Sequence, residues 1–354
     1  MTDCDDCSEI GRRMKFYQTF KLTTLHPFIL FIICEVGLVG NSMNRVFDIL
    51  ESYTLRRMLC CGGKRSLKKF NIFFSQLISD LKDDFTLERF IDRLSLECSD
   101  THRYPTNDEI NPALHTRHDA HSTLFPDDTT IVFPNNLTVQ AALHGLWVNT
   151  AGPIKQSLIR YILYRIELMK RAEDQFTESL VFKDRFTTLE HVLPQAWMDK
   201  WKLPFSQGAI IYDDSGGTYR VLENREEKNE SMLYEELFSN DYKAKTAGWK
   251  NQPSRDGLAD ESYSDAYNLA LARNHCLESI GNLTIVTREL NSKLKNRTFS
   301  EKKKDLEAHS KLILNAEICD NGTWEVNEIY KRAERLIEDV CKIWPSLDVF
   351  REKQ

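Results

Sequence analysis

The chain has 354 residues, 41% of them hydrophobic, 28% charged and 10% aromatic, with 14 glycines and 10 prolines. This composition excludes a disordered tail or a fibrous repeat and is enough to bury one or two cores. Forty-seven basic residues against 53 acidic ones leave a formal net charge of −6, which excludes a uniformly basic nucleic-acid coat but not local basic patches.

The N-terminus carries Asp3, Asp5 and Asp6, the wrong charge for a secretory leader. Cys4 and Cys7 form a CxxC pair, but no second Cys/His pair follows at zinc spacing. Nine scattered cysteines, an odd number, read as reduced thiols in the cytoplasm rather than a disulfide framework. Residues 14–95 read as helical, with Phe16, Phe20, Leu25, Ile29 and Ile33, then Val46, Ile49, Leu50, Leu55, Met58 and Leu59, at helical spacing. The apolar stretch from Phe28 to Val39 is interrupted by Glu35 and falls short of the roughly 20 apolar residues of a membrane span. A buried helix, and no membrane partner, is the expectation. Cys61-Gly62-Gly63 breaks the helical run, and Phe70 to Leu81 resumes it. Residues 41–79 hold seven basic residues against two acidic ones, a local net of +5. Such a run is either a solvated helix face or a phosphate-facing surface. On the second reading, Arg56 and Arg57 contact nucleic acid.

Residues 96–135 are loop-rich, with four prolines and with His115, His118 and His121. These histidines lack an acidic or cysteine partner at fixed spacing, so no metal is assigned to them. Residue 135 is the expected boundary between an N-terminal helical region, 1–135, and a second domain, 136–354. From Val139 to Met169 the pattern is helical again, with Leu158, Ile159, Ile162, Leu163 and Ile166 on one face. Residues of about 204–260 read as a charged insertion with one or two edge strands, built around the turn Asp213-Asp214-Ser215-Gly216-Gly217. An amphipathic helix from Val326 to Ile343 closes the chain and stops at Pro345.

Two segments carry chemistry. In Thr187-Thr188-Leu189-Glu190-His191-Val192-Leu193-Pro194-Gln195, an acid adjoins a histidine. On a strand the two point to opposite faces, and on a turn they diverge around one site. The carboxylate can hold a hard divalent cation while the imidazole takes a proton from water. In the second segment, Leu283 to Val286 reads as a short strand led by Gly281-Asn282, and a basic helix follows from Glu289. Asn291 on that helix offers a neutral oxygen ligand. Residues 286–311 hold eight basic residues against four acidic ones, a net of +4, where a phosphodiester backbone would lie.

Taken together, strand–His–turn–strand–helix with Glu, His, Asn and Asn resembles the ββα-metal finger of HNH endonucleases. Glu-His-Val-Leu-Pro-Gln is similar to their Asp-His-Ile-Val-Pro-Gln type of element, and the spacing from Asn282 to Asn291 fits as well. More widely, residues 15–345 resemble the C-terminal half of GmrSD-type, modification-dependent (type IV) restriction enzymes. The words that carry this are Leu50-Glu51-Ser52-Tyr53-Thr54-Leu55-Arg56-Arg57, Tyr161-Ile162-Leu163-Tyr164-Arg165-Ile166-Glu167, Ile280-Gly281-Asn282-Leu283-Thr284, Leu290-Asn291-Ser292-Lys293-Leu294 and Ile343-Trp344-Pro345.

The resemblance implies a mainly α fold, a helical shell around an embedded ββα-metal (HNH-type, His-Me finger) motif. It implies a metal-dependent endonuclease that cuts DNA in a restriction or phage-defence system. His191 would be the general base and Asn282 the brace of its loop. Glu190 and Asn291 would bind one Mg²⁺ or Mn²⁺, and Lys293, Lys295 and Arg297 would contact phosphates. Two site residues depart from the usual pattern, Glu in place of Asp and Asn in place of the final His. The nucleotide-hydrolysing domain of full-length relatives, with its DGQQR-type motif, has no counterpart here. The chain therefore reads as a nuclease half, either a truncated product or a split gene, so NTP dependence does not carry over from the family; in a split arrangement a separate NTP-hydrolysing subunit would supply recognition. The alternative is a non-catalytic DNA-binding remnant or subunit, with the Glu190 carboxylate and the Asn291 amide too far apart to share an ion.

Overall fold

Apolar residues at three- and four-residue spacing turn most of the described chain into helices that bury one face. The computed structural model describes residues 9–60, 70–95, 133–146, 153–173, 187–197, 201, 210–213, 218–221, 272–273 and 276–352. The Cys4/Cys7 pair, Cys61 to Lys69, the three clustered histidines and most of the charged insertion lie outside these residues.

Helices α1 (Glu9–Thr19), α2 (His26–Leu30), α3 (Gly40–Cys60), α4 (Phe70–Leu81) and α5 (Leu87–Ser95) form the N-terminal part. The apolar stretch after His26 is buried only in part: Phe28, Ile29, Phe31 and Ile32 face inward, whereas Leu30, Ile33 and Val39 are exposed. Phe28 packs on Phe74 and stacks on Phe90, and Phe31 and Ile32 are also inside. Among the described residues no helix is long and apolar enough to cross a membrane. Helices α6 (Asn136–Ala141) and α7 (Pro153–Glu173) follow. Next come β1 (Thr187–His191) and a hairpin of β2 (Ile210–Asp213) with β3 (Thr218–Val221), which falls within the expected insertion. Strand β4 (Leu283–Thr287) pairs antiparallel with β1. Helices α8 (Arg288–Leu294), α9 (Phe299–His309), α10 (Ile313–Cys319), α11 (Val326–Ile343) and α12 (Leu347–Glu352) complete the chain.

The fold is mainly helical, and helix α7 is its spine: it packs on α3, α11 and both strands of the β1–β4 pair. One continuous cluster of buried side chains joins Phe16, Leu50 and Tyr53 to Ile162, Ile285, Leu336 and Trp344. Among the described residues, this cluster includes side chains from both sides of residue 135. A polar tie runs across the same boundary. Glu51 on α3 accepts hydrogen bonds at Oε1 from Arg165 (2.7 Å), Tyr161 (3.2 Å) and the Trp344 indole (3.0 Å).

Arg56 and Arg57 correct one expectation. Both are buried, with Arg56 at 0% and Arg57 at 1% exposure, so neither faces a phosphate backbone. Arg56 donates instead to the Trp344 and Pro134 carbonyls and to Asn136 Oδ1. Positions 53, 56 and 60 lie one helical turn apart and all face inward. The guanidinium is held because it bonds the carbonyl at the C-cap of α11 and the Pro134 carbonyl just before α6, groups the core would otherwise leave unbonded.

Replacing Glu51 with Ala strands three donors around a buried gap. The expected loss is about 3 kcal/mol, read as a lowered midpoint in urea denaturation of the purified chain.

Candidate active site

The register of the β1–β4 pair sets the site. His191 lies opposite Leu283 and Glu190 opposite Thr284, so the last residues of β1 sit beside the residues that begin β4. Beyond the strands the ladder gains one more bond, Val192 N–H to the Asn282 carbonyl at 2.9 Å. The fully buried Asn282 side chain then closes the loop. Its Oδ1 accepts from Leu193 N–H (2.7 Å) and from the Trp324 indole (3.2 Å). Its Nδ2 donates to the Leu193 (2.9 Å) and Leu277 (2.8 Å) carbonyls.

The turn before β4 is itself pressed against α11. A Cβ at Gly281 would overlap the Ile329 carbonyl and crowd Ala333, so only glycine permits this approach. Arg332 of α11 donates to the Gly281 and Leu283 carbonyls, each at 2.8 Å. Burial pushes its guanidinium down to about 10, which still leaves it charged at neutral pH.

His191 is half-buried, and its Nε2 lies 3.0 Å from Oε2 of the buried Glu278. The other oxygen of Glu278 accepts from Gln195 Nε2 at 2.8 Å. A carboxylate held in this way fixes the ring orientation and favours a proton on Nε2, which leaves Nδ1 as the basic nitrogen.

Glu190, on the opposite strand face, meets a cation. Its Oε1 lies 2.6 Å from Nζ of Lys302 on α9, and the same ammonium donates to the His191 carbonyl at 2.7 Å. Burial raises the Glu190 carboxyl above its usual range, and Lys302 offsets part of that. Burial also lowers the Lys302 ammonium, with Glu190 as the opposing influence. Asn291, one turn into α8, donates from Nδ2 to Thr188 Oγ1 (2.8 Å) and the Leu189 carbonyl (3.0 Å). Thr188 and Glu190 are two residues apart on β1, so Asn291 lies along the Glu190 face.

Among the described residues, Glu190 Oε2 and Asn291 Oδ1 take no hydrogen bond. A carboxylate oxygen and an amide oxygen are both hard donors, the chemistry that suits an ion such as Mg²⁺ that keeps water and phosphate as its remaining ligands. No group of three His, Cys, Asp or Glu side chains that could hold a metal occurs among the described residues.

The basic residues after β4 divide. Lys293 and Arg297 both pair with Asp305, at 2.6 and 2.8 Å, and the hydrogen bond from Lys293 holds the Asp305 carboxyl below its usual range. Lys295 is exposed and caps α8 in the left-handed region, at φ 38°.

Glu278 and Lys302 are the participants that sequence reasoning missed. Lys302 sat in a run counted only for its charge. Its signal is spacing, since Phe299, Lys302 and Leu306 all lie on the buried face of α9. Glu278 has no such signal, because a turn carries no periodicity.

The family model for the C-terminal domain of GmrSD restriction endonucleases matches residues 141–339. No curated protein and no solved structure matches the chain.

Two substitutions test this framework. Asn282→Ala leaves buried main-chain groups and an indole without partners, and is expected to cost about 2–4 kcal/mol in thermal or urea unfolding. Lys295→Gly relieves the left-handed backbone and is expected to raise stability by about 1 kcal/mol in the same measurement.

Proposed function

Because the chain belongs to the GmrSD restriction endonucleases, by a C-terminal domain that spans more than half its length, we propose that it is a metal-dependent HNH-type endonuclease that hydrolyses DNA phosphodiester bonds. The observation that carries this reading is the Asn282 brace. A buried carboxamide ties the end of the Glu190-His191 strand to the start of a strand–helix unit that brings Asn291 against the same strand.

In this reading His191 takes a proton from water through Nδ1, and Glu278 steadies the positive charge that develops on the ring. The water oxygen forms a bond to phosphorus as the bond to the 3′ oxygen breaks, and the departing 3′ oxygen takes a proton from solvent, leaving a 5′ phosphate and a 3′ hydroxyl. Glu190 Oε2 and Asn291 Oδ1 would hold Mg²⁺ or Mn²⁺. When bound, that ion supplies polarisation of the phosphate and charge stabilisation at the leaving oxygen. Asn282 keeps the loop after His191 in place. Lys295, exposed and without an ion pair among the described residues, would contact the phosphate backbone, and Lys293 and Arg297 would join it at the edge they share with Asp305. The biological setting we propose is restriction of modified DNA in phage defence, in the cytoplasm, with recognition and NTP hydrolysis supplied by a separate subunit.

One observation favours a second reading. Glu190 is committed to Lys302, as in a DNA-binding remnant that no longer needs an ion. A plasmid-nicking assay in Mg²⁺ or Mn²⁺ separates the two. Cleavage by the wild-type chain is expected to stop with EDTA and to fall by about 10²–10⁴-fold in His191→Ala, with a smaller loss in Glu278→Gln. Equal cutting by wild type and His191→Ala would remove His191 from the chemistry. DNA retention without any cleavage would favour the remnant.

A further inference from the structure

Lys302 is in an unfavourable place for a cation. It lies in the first turn of α9, whose N-cap is Thr298, where the helix dipole repels positive charge. Its side chain is only 1% exposed, so water does little to stabilise the ammonium. The ammonium is sustained by Glu190 Oε1 at 2.6 Å and the His191 carbonyl at 2.7 Å. The carboxylate proposed to hold the metal ion is thus already matched by a fixed positive charge.

The surrounding groups do not restore the negative balance on that strand face. Asn291 is neutral. Asp305, further along α9, is outnumbered by Lys293 and Arg297. Glu278 is engaged with His191 and Gln195. A divalent ion approaching Glu190 Oε2 therefore meets a pair with no net charge, and the long-range attraction that usually concentrates cations at a carboxylate site is absent.

We propose that Lys302 is a resident counter-cation that keeps the free protein poor in metal, so that the divalent ion binds productively only together with a DNA phosphate. The phosphodiester would supply the negative charge that Lys302 cancels at Glu190. The inference rests on the assignment of Glu190 as a metal ligand.

Mn²⁺ titration of the full chain without DNA, followed by electron paramagnetic resonance or calorimetry, tests it. Lys302→Gln keeps hydrogen-bond donors for Glu190 and His191 but removes the charge. It is expected to bind Mn²⁺ about tenfold more tightly than wild type, and the gain is expected to vanish in Lys302→Gln/Glu190→Gln. Unchanged or weaker Mn²⁺ binding by folded Lys302→Gln, with binding still lost in Glu190→Gln, would overturn the role of Lys302 alone. Binding insensitive to Glu190→Gln in both backgrounds would overturn the metal assignment with it. A second arm adds a DNA duplex to His191→Ala, which retains Lys302 and so decides the matter even where Lys302→Gln fails to fold. Mn²⁺ affinity is expected to rise about tenfold with DNA, and no rise would overturn the proposal.

Discussion

The carboxamide of Asn282 faces Leu193 with both of its polar atoms, accepting from the main-chain N–H and donating to the carbonyl. This two-way contact holds the exit from β1 against the start of β4. Among the described residues, much of the candidate site gathers around that junction. His191 precedes the exit, Glu278 lies just before the turn, and Asn291 sits one helical turn past β4. A buried amide bonded at both ends is a rigid element, since any rotation leaves at least one polar group without a partner. The geometry of the site therefore depends less on its five-residue register than on this one side chain and on the Trp324 indole that completes its bonding.

Around the junction, the helices act as a frame with its own polar pins. Glu51, Arg56 and Arg332 are all buried charged residues whose partners lie far along the chain. Each gathers several donors or acceptors at once, so each fixes a crossing of elements rather than a single contact. Buried charges of this kind contribute little net stability compared with apolar packing, but they tolerate few alternative arrangements. The β1–β4 pair, only two strands wide, depends on such a frame because a lone two-stranded pair is marginal in water.

Much of this was legible in the sequence. The helices over Gly40–Cys60, Pro153–Glu173 and Val326–Ile343 follow from apolar periodicity, and the strand at Leu283–Thr287 from a short apolar run led by Gly-Asn. The segments around Glu190-His191 and Asn282 were legible as words. Two things were not. Local charge counts treated every lysine and arginine as a surface residue, whereas Arg56 and Lys302 are inside because distant acceptors reach them. Likewise, nothing near Glu278 points to His191, which is 87 residues away in sequence. Periodicity reports which face of an element is buried, but not which distant polar group waits there.

The position of Trp324 and Arg332 downstream of both β1 and β4 has a consequence for synthesis. The Glu190-His191 strand is made long before the indole and guanidinium that hold its turn. A nascent chain that has reached β4 carries Glu190, His191 and Asn282 without the groups that hold the turn between the strands in place. Only after α11 has emerged and docked, with Trp344 reaching back to Glu51 on α3, is the arrangement complete. The order of the chain thus delays completion of the candidate site until α11 has been made.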